Sequence, residues 1–143
     1  MVFFDSDRWN ADGGDLKLRY NYSLNSDSVV VDLGGYRGDF ANNIYSKFNC
    51  NVYVFEPFKE FYDVIAGRFN SNEKIRAFNY GISDKTSTQE FYFCNDGSSL
   101  VEVQRFSEEE NMPVSSVEVR SFTEVYKELN FDVIDLLKIN VEG

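Results

Sequence analysis

The sequence predicts an α/β domain: a mostly parallel sheet with flanking helices. Three observations predict it. A β-branched run, Val29-Val30-Val31, ends at Asp32 and runs into a glycine turn at Gly34, Gly35 and Gly38. Downstream, apolar residues at helical spacing alternate with short apolar runs in the order strand, helix, strand, helix, strand, a pattern that implies parallel pairing with crossover connections. With 143 residues, of which 43% are apolar and 17% aromatic, the chain is long enough for one domain and rich enough for a core.

The elements follow in order. Residues 1–23 read as a polar tail carrying Gly13-Gly14, with a short strand over 16–22, and the domain proper spans 24–143. The run ending at Asp32 is a buried strand entering a tight turn. Phe40, Ala41, Ile44, Tyr45 and Phe48 mark the first helix. Asn51-Val52-Tyr53-Val54-Phe55-Glu56 is a second strand, stopped by Pro57. Phe58, Phe61, Tyr62, Ile65, Ala66 and Phe69 stand at offsets 0, 3, 4, 7, 8 and 11, an amphipathic helix. Residues 74–80 form a third strand closed by Gly81. Residues 88–94 and 116–120 are further strands, with a turn at Asn95-Asp96-Gly97 and a solvated loop at Glu108-Glu109-Glu110. Ser121-Phe122-Thr123-Glu124 is a capping box opening a helix to about Leu129, and 133–139 is a last buried strand in the middle of the sheet.

Composition excludes several chemistries. The chain has no His, so no Ser-His-Asp or Cys-His machinery, no His-ligated zinc and no His base. Its formal charge of −10 repels phosphate backbones and anionic lipid, which argues against nucleic acid and membrane as partners. No apolar run approaches a bilayer span and the N-terminus is not a secretory signal. Cys50 and Cys94 lack C-x-x-C spacing and fit a reducing, cytoplasmic setting; one distant disulfide between them is the alternative.

Ligands of open parallel sheets bind at the carboxyl ends of strands, where strand order reverses. The first such end here is Asp32-Leu33-Gly34-Gly35-Tyr36-Arg37-Gly38. The alternative is a tight turn with no ligand. Glu56 ends the second strand, 24 residues past Asp32, where an acid can accept from the vicinal hydroxyls of a ribose. A valine at Gly34 is expected to fill the space the ligand needs and abolish binding while leaving most secondary structure. The loop lacks G-x-G-x-x-G spacing, and Asp32 and Asp39 bracket it, so a pyrophosphate is disfavoured. S-adenosylmethionine carries a cationic amine and a sulfonium and suits an acidic glycine turn better.

Four segments, Val30-Val31-Asp32-Leu33-Gly34-Gly35-Tyr36-Arg37-Gly38, Val54-Phe55-Glu56-Pro57, Gly81-Ile82-Ser83-Asp84 and Asp135-Leu136-Leu137-Lys138-Ile139-Asn140-Val141-Glu142-Gly143, resemble the FkbM-type methyltransferases over about residues 24–143. The resemblance implies a Rossmann-like, class I S-adenosylmethionine-dependent enzyme that methylates hydroxyls of sugars, polysaccharides or natural products. It implies that Asp32, Gly34, Gly35, Tyr36 and Gly38 form the methionine-side loop and that Phe55, Glu56 and Pro57 surround the ribose. Ser83 and Asp84 are implied near the adenine, and Lys138, Asn140 and Glu142 at the open strand end facing cofactor and acceptor. The alternative for Lys138 and Glu142 is a structural ion pair. Ser98-Ser99 also fits the family pattern. Two departures stand out: Tyr36 replaces a frequent Asn, and Asn140 replaces a common Asp, which removes a base or metal ligand. The base then falls to Glu142, Asp84 or a residue beyond Gly143, and no carboxylate cluster for a metal is evident. Because the chain stops inside the last motif, the sheet is expected to be incomplete on its C-terminal side, with an edge prone to homodimerisation. The rival readings are a non-catalytic nucleoside-binding or interaction domain and a dinucleotide-dependent oxidoreductase.

Overall fold

The computed structural model describes residues 11, 13–14, 19–94, 97–99 and 114–141. The elements run β1 (Val29–Leu33), α1 (Asp39–Phe48), β2 (Asn51–Phe55), α2 (Lys59–Arg68), β3 (Ile75–Phe78), β4 (Gly81–Ser83), β5 (Ser87–Cys94), β6 (Gly97–Ser99), β7 (Val114–Ser121), α3 (Phe122–Glu128) and β8 (Leu136–Ile139). Four strands make an all-parallel sheet in the order β3-β2-β1-β8. The other four make a second sheet, β4-β7-β5-β6, parallel between β4 and β7 and antiparallel elsewhere.

The valine run of β1 is apolar throughout because both faces of its sheet are covered. Successive side chains point to opposite sides. Val30, Val52 and Val54 pack with Phe40, Ala41 and Ile44 of α1 and Ile65 of α2. Val31, Leu33 and Phe55 pack on the other face with Val125 of α3 and Phe131. A third cluster, Phe58, Phe91, Val117 and Val119 with Phe61, ties the start of α2 to the second sheet.

Several expectations are corrected. β8 is not fully buried: among the described residues it pairs with β1 alone, at the open edge expected on the C-terminal side of the sheet, and Leu137 and Ile139 are 43% and 61% exposed. Leu136 packs inward while its neighbours face a side that no described element covers. Val133 precedes the strand and is exposed. Gly81 does not close the third strand; it opens β4 in the second sheet. The S-x-x-E box at α3 does not close on itself, since Ser121 makes no side-chain cap. The Thr86 hydroxyl accepts from the Ser121 N–H (3.0 Å) and donates to Glu124, joining the two ends of the box through a third residue. Cys50, by contrast, is a buried free thiol in keeping with the unpaired-thiol reading rather than the alternative disulfide, and burial pushes its pKa up. Arg19 and Tyr20 lie in a turn and residues 21–25 carry no strand. The expectations for residues 1–10 and 16–18, for Asn95-Asp96, for Glu108-Glu109-Glu110 and for Glu142 fall outside the described residues. No helix among the described residues is long and apolar enough to cross a membrane.

Two neighbours in α2 give a direct check on this packing. Ile65 is fully buried against the sheet, whereas Val64 is 48% exposed. Ile65→Ala should cost about 2–5 kcal/mol, and Val64→Ala should stay within about 0.5 kcal/mol, both read from urea unfolding midpoints. Equal losses would mean that α2 does not present this face to the sheet.

Candidate functional site

Strand order reverses between β1 and β8, so the carboxyl ends of these two strands open the crevice where α/β sheets bind ligands. The Asn140 N–H donates to the Leu33 carbonyl (2.9 Å), carrying the pairing one step beyond the strands. The turn 34–38 begins there. Its glycines answer first to the protein's own packing. Gly34 holds φ at +80°, and a Cβ on it would stand 2.1 Å from the Asn140 carbonyl oxygen. A Cβ on Gly35 would stand 2.2 Å from Val54 Cγ1. The expected loss of binding in Gly34→Val thereby gains a second cause: the new side chain would meet the β8 backbone and open the β1–β8 junction as well as fill ligand space.

Two charged side chains hold this turn from opposite sides. Asp32 on β1 and Lys138 on β8 are register partners. The Lys138 ammonium lies 2.7 Å from Asp32 Oδ1 and donates to the Gly34 carbonyl at 2.7 Å. Asp32 is wholly buried. Its Oδ1 meets Lys138 as an ion pair, and among the described residues Oδ2 has no hydrogen-bond partner. Burial pushes the Asp32 carboxyl above the usual range, and Lys138 draws it part of the way back.

Glu56, just past β2, does the converse. Its Oε2 accepts from the Tyr36 N–H (2.8 Å) and its Oε1 from the Phe58 N–H (3.0 Å). It too is buried, at 4% exposure. Burial raises its pKa, the two N–H groups lower it, and the nearby Asp32 charge raises it again. Asn79, which the sequence reading missed, donates its side-chain amide to the Glu56 and Pro57 carbonyls (3.0 and 3.1 Å). Its signal was weak: one amide just past an apolar strand. Pro57, Phe58, Lys59, Glu60, Asn79 and residues 115–118 line an open cleft of about 630 Å³ beside it.

The structure thus brings Asp32, Gly34, Gly35, Tyr36, Glu56, Lys138 and Asn140 together through direct contacts. Gly38 caps α1 at φ +81° with no side-chain cap. The Phe55 carbonyl accepts from the Gly34 and Gly35 N–H groups, while its ring is buried against Phe78 and Tyr80. Ser83 and Asp84 end β4 on the second sheet and hydrogen-bond each other, not the turn. Lys138 is paired with Asp32, a partner the sequence reading did not offer it. Ser98 and Ser99 lie in β6.

The model of the methyltransferase FkbM domain matches residues 32–143. The chain belongs to the FkbM methyltransferase family. No curated protein matches it. The span matched by the FkbM model opens at Asp32 and takes in every residue of the site just described. Against the FkbM pattern, Tyr36 has a physical consequence: it holds φ at +51°, the left-handed region that Asn tolerates better than a bulky residue. Its ring leans on Phe61 at 4.5 Å between centroids, which helps to hold it there.

The buried acids of this FkbM domain set a pH trend. Asp32 and Glu56 both have raised carboxyl pKa values in the folded chain. Such groups contribute stability that is fully present below the unfolded carboxylate pKa, about 4, and lost as pH rises through the folded value. The urea midpoint should therefore fall as pH rises from about 5 to about 7, and Asp32→Asn should flatten the fall. A midpoint that rises over this range would contradict the burial of these two charges.

Proposed function

We propose that this domain binds S-adenosylmethionine at the β1–β8 switch point and serves a methyl transfer to a hydroxyl oxygen of a sugar, polysaccharide or natural product. One observation carries the choice of cofactor. The N–H groups of Gly34 and Gly35 go to the Phe55 carbonyl, that of Gly38 to the Gly35 carbonyl, and that of Tyr36 to Glu56. A turn that binds pyrophosphate needs such amides free. Here four of the five turn amides, all but that of Arg37, are spent internally, and the carboxylates keep unspent acceptors: Asp32 Oδ2 and the second lone pairs of the Glu56 oxygens. That balance favours a ligand bringing hydroxyls and a cation over one bringing phosphates. This argues against the dinucleotide oxidoreductase reading.

The residues present fit such a group. Glu56 accepts the ribose hydroxyls, Asp32 attracts the amino end, and the cleft at Pro57, Phe58 and Asn79 receives the base. When bound, S-adenosylmethionine supplies the electrophilic methyl and its own leaving group. The protein's task is then alignment of the acceptor oxygen and exclusion of water. The acceptor enters beside the carboxyl end of β8, past Asn140. An alcohol is a poor nucleophile, so a proton acceptor assists, with Glu142 as the base of this reading, two residues beyond Asn140.

Calorimetry with S-adenosylmethionine, S-adenosylhomocysteine and NADH tests this reading. The two adenosyl ligands should bind and NADH should not. Glu56→Gln should weaken S-adenosylhomocysteine by about 1.5–3 kcal/mol, the range for a hydrogen bond to a charged group. Binding of NADH alone would overturn the assignment, and adenosyl binding with no turnover on any acceptor would point to a non-catalytic module.

A further inference from the structure

We propose that Lys138 is the positioning residue of the cofactor turn: it acts on the methyl donor through Asp32 and the Gly34 carbonyl rather than by touching the acceptor. The inference rests on the methyl-donor reading above and assigns one residue's part in it.

The geometry is unusually closed for a lysine. Parallel register sets Lys138 directly beside Asp32. Its ammonium reaches Asp32 Oδ1 and the Gly34 carbonyl, each at 2.7 Å, and sits 5.6 Å from the centre of the Phe40 ring. Only 23% of the side chain meets solvent. A lysine meant for an acceptor would point outward past Ile139; this one folds back under the turn. It joins three things that the methyl donor must find in place: the carboxylate that attracts its amine, the first carbonyl of the turn, and the β8 strand against which Gly34 is packed.

The charges around Asp32 make the device one of protonation as well as position. Lys138 faces it from β8, and Glu56 adds a second negative charge from the end of β2. From α1 comes only the apolar ring of Phe40. Among the described residues, Lys138 is the cation paired with Asp32. Without it, a buried carboxylate beside another carboxylate takes up a proton, and a neutral acid attracts an ammonium far less. Lys138 therefore draws the Asp32 carboxyl back toward its ordinary range against the larger upward push of burial, and so favours the anion.

The test compares the wild-type chain with K138M, K138R and the double variant D32N/K138M. The ligand-free readout is amide exchange of the peptide spanning 34–38, with α2 as the internal control. The ligand readout is S-adenosylhomocysteine affinity at about pH 6, 7 and 8. K138M should exchange faster in the turn but not in α2, and bind about tenfold or more weakly, the scale of one charge-assisted hydrogen bond. Its affinity should fall more steeply than that of the wild type as pH drops from 8 to 6, because Asp32 takes up its proton more readily without Lys138. K138R should restore slow exchange and the shallower wild-type profile. D32N/K138M, which removes both charges and so avoids an unpaired buried acid, should bind weakly and lose the extra pH dependence of K138M. A K138M turn that exchanges like wild type, or a K138M pH profile parallel to that of the wild type, would overturn the proposal. Should K138M fail to fold, fast turn exchange in D32N/K138M supports the clip and wild-type exchange there refutes it. A wild-type chain that binds no S-adenosylhomocysteine sinks the methyl-donor reading instead, and the exchange comparison then decides the clip by itself.

Discussion

The turn after β1 is held by two opposite charges, one from each neighbouring strand, and the remainder of the site depends on that arrangement. Lys138 on β8 takes a carbonyl of the turn, and Glu56 past β2 takes an amide. Each charge meets the end of the peptide dipole that suits it. Both side chains are largely out of water, where charge-assisted hydrogen bonds are strong and an unpaired charge is costly. The turn is consequently fixed before any ligand arrives. The same arrangement occupies the amides of Gly34, Gly35, Tyr36 and Gly38 within the protein itself.

The turn is also braced laterally. Tyr36 adopts a left-handed conformation that a bulky residue rarely holds, and it is kept there by the Glu56 carboxylate on its N–H and by Phe61 against its ring. Phe61 continues to Phe58, and Phe58 to Phe91 in β5, with ring centres 6.3 and 5.4 Å apart. A row of aromatic contacts thus runs from the glycine turn to the second sheet. Thr86 adds another fastening between the layers, where it closes the start of α3. The strand-rich stretch from 81 to 121 is tied to the site by these contacts, although its own polar residues Ser83 and Asp84 do not reach the turn.

Much of the parallel layer was legible in the sequence because its signals are local. The β-branched run, the stop at Pro57 and the 3.6-residue spacing in α1 and α2 each reflect neighbours within a dozen residues. The second sheet was not legible as a separate layer, since strand pairing between β4 and β7 spans nearly forty residues and leaves no mark on either segment. The site divides the same way. Asp32 and Glu56 stood out by their position at strand ends. The Lys138 partnership did not, because it joins residues 106 apart through register alone. The burial of β8, unlike its open edge, was misread for a related reason: an apolar run such as Leu136-Leu137-Lys138-Ile139 reads as buried on both faces, and only the three-dimensional packing reveals that one face is open. Capping chemistry was misassigned because a distant hydroxyl, that of Thr86, intervened between Ser121 and Glu124.

The pairing of β8 with β1 has a consequence for the order in which the molecule assembles. β1, β2 and β3 lie within some fifty residues and can come together early, because closing short loops costs little entropy. β8 reaches β1 only after the whole intervening stretch has been made and its second sheet formed or set aside, a contact of very high sequence separation. Until then Asp32 lacks its cation, Gly34 lacks the backbone that confines it, and the crevice has one wall. A chain emerging from the ribosome thus carries its glycine turn and both acids long before the crevice has its second wall, and completion of that crevice is among the last events of folding. A ligand that recognises the finished crevice favours the docked strand by mass action, so occupancy and the final step of folding are thermodynamically one equilibrium.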